Sequence, residues 1–326
     1  MTPKRTLVFV LKIIALTFAL FFGFILASIV AGVAEVDVPS APPDVSASAP
    51  DTQGTEPVGQ QLEQMKAALN LLIVCFLQTL VLTYVIVRSR WHGWRLAATI
   101  FVIFFGVTAI MTQIEMLVFR PQDLTGGVLP RLLAMSLLTT GVFSPLAVLV
   151  LGKRKSREDN HLPNTRLIIG GTRWAWVLAT AVVAYVTLYV AFGYFIVWQH
   201  PVAREFYGGG GSRSGSFPAH ILYLVQHHPR LLALQALRAL MWVALALPVI
   251  RMMKGHWVET ALAVAMLFGV VFSIQLLVPN PWMPQTLRML HLLETSTSNF
   301  MFGFLLGWLF SCPDRRPYAA PTEPEL

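Results

Sequence analysis

Eight times along this chain a run of about twenty apolar residues passes with almost no charge, and that length constrains the fold more than anything else in the sequence. The runs fall at roughly 7–33, 67–87, 95–119, 129–151, 173–198, 231–250, 257–278 and 287–311. In hydrocarbon a backbone must satisfy its own N–H and C=O groups, so each run is expected to be a helix. Charged residues make up 12% of the chain and hydrophobic ones 56%, where an ordinary soluble domain is about 25% charged. The fold class that follows is an all-α polytopic integral membrane protein with about eight transmembrane helices. The first run follows Lys4 and Arg5 but is longer than the apolar segment of a signal peptide, so it reads as a membrane helix.

The net charge of +8 is explained by loop placement rather than by nucleic acid. Of the 24 Lys and Arg residues, fifteen fall in one alternating set of connections and ends, among them Lys4, Arg5, Arg88, Arg90, Arg95, Lys153, Arg154, Lys155, Arg251 and Lys254. Seven fall in the opposite set, and Lys12 and Arg238 lie within runs. The basic set faces the cytoplasm by the positive-inside rule, which puts both termini inside, with a bacterial inner (cytoplasmic) membrane as the expected location. No basic patch on a soluble domain is present to bind nucleic acid. Cys75 and Cys312 form neither a disulfide framework nor a CxxC site.

Two connections on the outer side are long. Residues 34–65 are rich in Pro, Ser, Asp and Glu and read as a flexible outer loop. Residues 199–229 hold a glycine run, "YGGGGSRSG", with no preceding strand and no GK[ST], so they read as a flexible Gly-rich outer loop and not a phosphate cradle.

The two halves of the chain resemble each other. "VIVRSRWHGW" (85–94) aligns with "PVIRMMKGHW" (248–257), pairing Arg88 with Arg251 and Trp94 with Trp257. "FFGV" (104–107) aligns with "LFGV" (267–270), "IEMLVFRP" (114–121) with "IQLLVPNP" (274–281) and "LPRLL" (129–133) with "TLRML" (286–290). Phe143 falls on Phe300, and "FGF" (22–24) on "FGY" (192–194). The order of these matches predicts two four-helix membrane repeats, residues 1–163 and 164–326. An even helix count keeps both repeats in the same orientation, related by an axis along the membrane normal.

The stretch "HLLETSTSNF" (291–300) opens the last run with polar groups. A charge at membrane depth costs on the order of 3 kcal/mol or more unless it is paired or wetted. Glu115, Arg238 and Glu294 all fall in the outer halves of their runs, so they are expected to face the bundle interior. Each has a polar companion three residues before it, on the same helix face: Thr112, Gln235 and His291. Ser298 extends that face on the last helix. Glu294 is expected to meet Arg238, directly or through one water, with Glu115 and His291 in the same pocket. These seven residues are the candidate binding set, and no catalytic residue and no cofactor is specified. An alternative set of metal ligands is Glu115, His291 and Glu294, with His220, His227 and His228 nearby in sequence. Gly23, Ala27 and Ala31, and Gly303 and Gly307, make small-residue stripes that let helices pack closely.

Three functions fit this pattern. The first is transport or binding of a small solute or cation through a half-buried charged pocket near the outer face. The second is a membrane-embedded enzyme, metal-dependent or not, with an outward-facing site. The third is a non-catalytic scaffold or complex subunit whose charges only lock helices. The lipid bilayer is a partner in all three, and a homo-oligomer is compatible with each.

Overall fold

The computed structural model describes residues 3–33, 56–119, 127–155, 167, 170–207, 215–280 and 283–311. The architecture is all-helical, and among these residues no strand forms beyond one isolated antiparallel bridge. Seven helices are long and apolar enough to cross a membrane: Pro3–Val30, Gly59–Val87, Gly93–Val118, Val128–Val150, Gly171–Val197, Pro229–Met252 and Trp257–Leu277. The chain is a multi-pass membrane protein in form. In element terms these are α1 (Pro3–Val30), α2 (Glu56–Val87), α3 (Gly93–Phe105) with α4 (Met111–Phe119), α5 (Val128–Val150), α6 (Gly171–Phe192), α9 (Pro229–Met252) and α10 (Trp257–Met266). Two short helices, α7 (Pro201–Phe206) and α8 (Phe217–His227), precede α9, and α11 (Gln285–Ser311) closes the chain. At 27 residues α11 is long enough for a bilayer, about 40 Å. Its polar first half keeps it out of the apolar seven.

Both long connections correct the expectation from sequence. Residues 56–65 belong to α2: Pro57 stands in its first turn, and "QQLEQM" (60–65) is made of good helix formers that extend the apolar run after it. The 199–229 connection holds α7 and α8, each with proline in its first turn. His200 caps α7 by accepting the Val202 N–H, and Phe217 of α8 packs on Tyr194 and Phe195. The remaining parts, 34–55 and 208–214, lie outside the described residues.

Three of the spans are interrupted by a π-helical turn, at Gly106–Ile110, Gly193–Val197 and Leu267–Val271. Such a turn inserts one residue and re-aims every side chain beyond it. Glu115 lies just past the first, on α4, so its direction is not the one a continuous helix from α3 would give. Gly106 sits where a Cβ would press on the Leu245 side chain, so this turn approaches α9 closely.

In the first half α1 lies against α2 and α5, and α5 against α3; in the second, α6 lies against α9 and α11, and α11 against α10. The α10–α11 seam is the tightest. A Cβ at Gly303 would lie 2.8 Å from the Ala265 Cα, and one at Gly307 would collide with Ala261. The expected packing role of these two glycines is thus visible. Gly23 on α1 has nothing within 4 Å of a Cβ, while Ala27 of the same stripe is buried. Between the halves, α2 packs on the 267–277 stretch, and Gln78 donates to the Val271 carbonyl at 3.2 Å.

The connections after α2 and after α9 meet at one end of the bundle. Ser89 and Met253 form the antiparallel bridge, with Arg90 N–H to Met252 O at 2.6 Å and Lys254 N–H to Arg88 O at 2.8 Å. Arg88 also pairs with Glu259, and the Lys153 ammonium donates to Ser89 O at 2.7 Å. This is the basic end.

Candidate functional site

The polar groups that sequence singled out converge at the opposite end, where α4, α6, α9 and α11 meet below α7. Arg238 is 1% exposed on an otherwise apolar α9. Its guanidinium is ion-paired with Glu115 of α4 and also donates to Gln235 Oε1 at 3.1 Å. A buried guanidinium without a counter-charge is strongly unfavourable, so this pair crossing between the halves is what lets α9 carry an arginine at all. Arg238 Nε and Gln235 Nε2 are buried without a hydrogen-bond partner.

Glu294 is paired otherwise than expected. It receives a hydrogen bond from His291 Nδ1 at 2.8 Å, one turn back on α11, and makes no ion pair with Arg238. The reason is register: residues three apart on a helix stack on one face, so His291 reaches Glu294 first, while Glu115 from the neighbouring half takes the guanidinium. The Nε2 of His291 is 2.8 Å from the Tyr207 hydroxyl at the end of α7. A chain of three groups therefore runs from α7 to the Glu294 carboxyl, whose side chain is 9% exposed against 19% for His291. Gly193, at the start of the second π-helical turn, leaves room for Glu294; a Cβ there would sit 3.4 Å from its Oε1.

The two pairs share one neighbourhood. The phenols of Tyr185 and Tyr189 on α6 each lie within electrostatic reach of Glu115, Arg238 and Glu294, and His291 lies within reach of Glu115. Tyr185 is buried, accepts a hydrogen bond from Trp242 Nε1 at 3.2 Å, and packs on Phe302.

Other expected members are placed less directly. Thr112 accepts from Gln275 Nε2 at 3.0 Å, which joins the α4 strip to the other half. Ser298 turns its hydroxyl back to the Glu294 carbonyl at 2.7 Å. Thr295 does the same to His291 O at 2.6 Å, and Thr297 to Leu293 O at 2.6 Å. The Thr–Ser run at 295–298 is thus tolerated in a bundle helix because its hydroxyls are satisfied by the helix's own carbonyls. Among the described residues no three His, Cys, Asp or Glu side chains are grouped to hold a metal. Of the alternative ligand set, Glu115 is ion-paired with Arg238, and the two ring nitrogens of His291 lie at hydrogen-bond distance from Tyr207 and Glu294. His220 packs instead on Tyr194 and Trp198, and His227 and His228 on Tyr223.

Sequence reasoning missed Tyr207, Tyr185, Tyr189 and Gln275. The tyrosines at 185 and 189 share a helix face, which was a usable signal; nothing local marks Tyr207. Two open apolar grooves, of about 450 Å³ between α6 and α11 and about 290 Å³ between α1 and α2, lie away from the charged groups. The chain matches no family model, no curated protein and no solved structure.

Proposed function

We propose that this chain binds a small solute or ion at the Glu115–Arg238 and His291–Glu294 cluster and carries it across the membrane. One observation carries the reading: an arginine 1% exposed in a membrane helix, ion-paired with Glu115 of another helix, with the His291–Glu294 pair in the same neighbourhood. Ionisable groups inside a membrane bundle are costly, and they mark solute and ion paths by default. The unpartnered Arg238 Nε and Gln235 Nε2 add donors directed into the bundle that the protein itself does not satisfy.

The topology belongs to the same proposal. We read α11 as an eighth span, the halves 1–163 and 164–326 as parallel repeats, and both termini as cytoplasmic in a bacterial inner membrane. Two observations support the repeats. α1 lies against α2 and α5 as α6 lies against α9 and α11, and α3 lies against α5 as α10 lies against α11. The aligned "FFGV" and "LFGV" segments both overlap π-helical turns. The site then sits near the outer face.

The test is charge displacement by proteoliposomes on a solid-supported membrane, with sodium, potassium, protons and small organic cations and anions as the panel. The expected result is a response in the wild type that Glu294→Gln and Glu115→Gln abolish while both variants fold. Wild-type responses in both variants would refute the site. The reading in which the charges only lock helices predicts that Glu115→Ala with Arg238→Ala folds and keeps full activity.

A further inference from the structure

The solute-binding reading leaves the coupling ion unnamed, and the hydrogen-bonded chain at the mouth of the site supplies one. Tyr207 is half-buried at the end of α7, and α7 is seated on α11 through Ala203, Phe206, Leu287 and Leu290. Its hydroxyl touches His291 Nε2, and His291 Nδ1 touches Glu294 Oε2, both at 2.8 Å. Exposure falls from 19% at the imidazole to 9% at the carboxylate. An imidazole bonded at both nitrogens can take a proton on one and release one from the other.

We propose that the His291–Glu294 pair is a proton-binding site loaded through Tyr207, so that the ion moved or exchanged at the cluster is H⁺. The inference rests on the solute- and ion-binding reading and deepens it. In the loading step the Tyr207 hydroxyl gives its proton to His291 Nε2, and the Nδ1 proton passes to Glu294 Oε2. A hydronium ion at the α7 end returns a proton to the Tyr207 oxygen and leaves as water. One proton enters, no electrons move, and the carboxylate becomes a neutral acid.

Charge accounting explains why the cluster takes one proton. Glu115 and Arg238 cancel each other. Glu294 with a neutral His291 leaves one negative charge in a low-dielectric bundle, and one proton removes it. The other titratable or charged groups around the pair are Tyr185 and Tyr189 of α6, Arg204 of α7, and Arg288 one turn earlier on α11. Arg204 is turned to the carbonyls of Trp198 and Gln199, and Arg288 Nη1 donates to the Val278 carbonyl. The group paired with the Glu294 carboxylate is His291.

The test uses full-length protein in lipid nanodiscs, with protons as the only ligand. A pH titration followed by infrared difference spectroscopy should show a carboxyl band that is lost in Glu294→Gln. In histidine-labelled protein the His291 nitrogen resonances should shift with the same midpoint. Tyr207→Phe keeps the ring and removes only the hydroxyl, so it tests the route even if Glu294→Gln does not fold. It should leave the extent of uptake intact and slow it roughly tenfold or more after a pH jump. A band that survives in Glu294→Gln, or wild-type loading in Tyr207→Phe, overturns the proposal. Uptake through these groups with no solute response in proteoliposomes would defeat the transport reading and leave the proton site standing. Transport with an unchanged band in Glu294→Gln would defeat this inference alone.

Discussion

The two halves of the bundle pack their helices in the same order and differ in what those helices carry. On α9 the second half has Gln235 and Arg238, both buried. Aligned through Arg88 and Arg251, the same positions on α2 are Leu72 and Cys75. On α11 the second half has His291 and Glu294; aligned through 129–133 and 286–290, α5 has Ala134 and Leu137, and Leu137 is 48% exposed. The first half contributes one charged member, Glu115, whose aligned position in the second half is Gln275. Helix order fixes where elements meet, and a handful of side chains decides whether a meeting place is a seam or a site.

The strongest way to break this contrast is to remove the one charge that crosses it. Glu115→Ala leaves Arg238 buried without a counter-ion and should cost about 3–5 kcal/mol, read as lowered resistance to unfolding in mild detergent. Cys75→Ala, at the position aligned with Arg238, should cost about 1 kcal/mol. Equal losses would mean the halves do not differ in kind at that depth. The next largest effect concerns the seams. Gly307→Ala forces a methyl against Ala261 and should destabilise by about 1–3 kcal/mol. Gly141 on α5 has its nearest neighbour, a Phe101 ring carbon, 3.8 Å from a Cβ, so Gly141→Ala should be neutral or slightly stabilising. Equal thermal midpoints for the two variants would show that the α10–α11 seam is no tighter than its counterpart.

Glu294→Gln should change stability by less than about 1 kcal/mol, because the amide keeps a hydrogen bond to His291. Its solute response should nevertheless vanish, which separates charge from shape. The smallest effect belongs to α8. Burial beneath Tyr194 and Trp198 holds the His220 imidazole below its ordinary value of 6.5. The unfolded segment therefore binds the proton first. Docking of α8 should be complete above pH 6.5 and weaken as pH falls through the lowered folded value. Hydrogen exchange of residues 217–227 between pH 7.5 and 5 should show this, and His220→Phe should flatten it.

Much of this fold is legible in the sequence because membrane helices obey a length rule: six of the apolar seven lie within a few residues of the expected runs, and the second starts earlier, at Gly59 instead of 67. The eighth run, α11, forms a helix, but its polar first half places it outside that rule. The polar cluster was legible too, since a buried charge must find a partner. Which partner was not. Glu115 sits past a π-helical turn, and no periodicity count places a one-residue shift in a side chain's direction in advance. Tyr207 was invisible because it comes from a short helix beside a glycine run, where sequence reads as loop. The hydroxyls at 295–298 looked like site lining, yet most are spent on carbonyls within their own helix.

The bridge at the basic end has a mechanical consequence. Main-chain bonds between Arg90 and Met252 and between Lys254 and Arg88 do not depend on the charge state of any side chain. At the far end the halves are held across Arg238–Glu115 and Gln275–Thr112, contacts made by side chains. One end is stitched and the other only latched. A relative motion of the halves that kept this bridge intact would be a pivot, with its fulcrum at Ser89 and Met253 and its longest lever arm at the charged cluster. Opening the latch would move Glu115 furthest while leaving the stitched end in place.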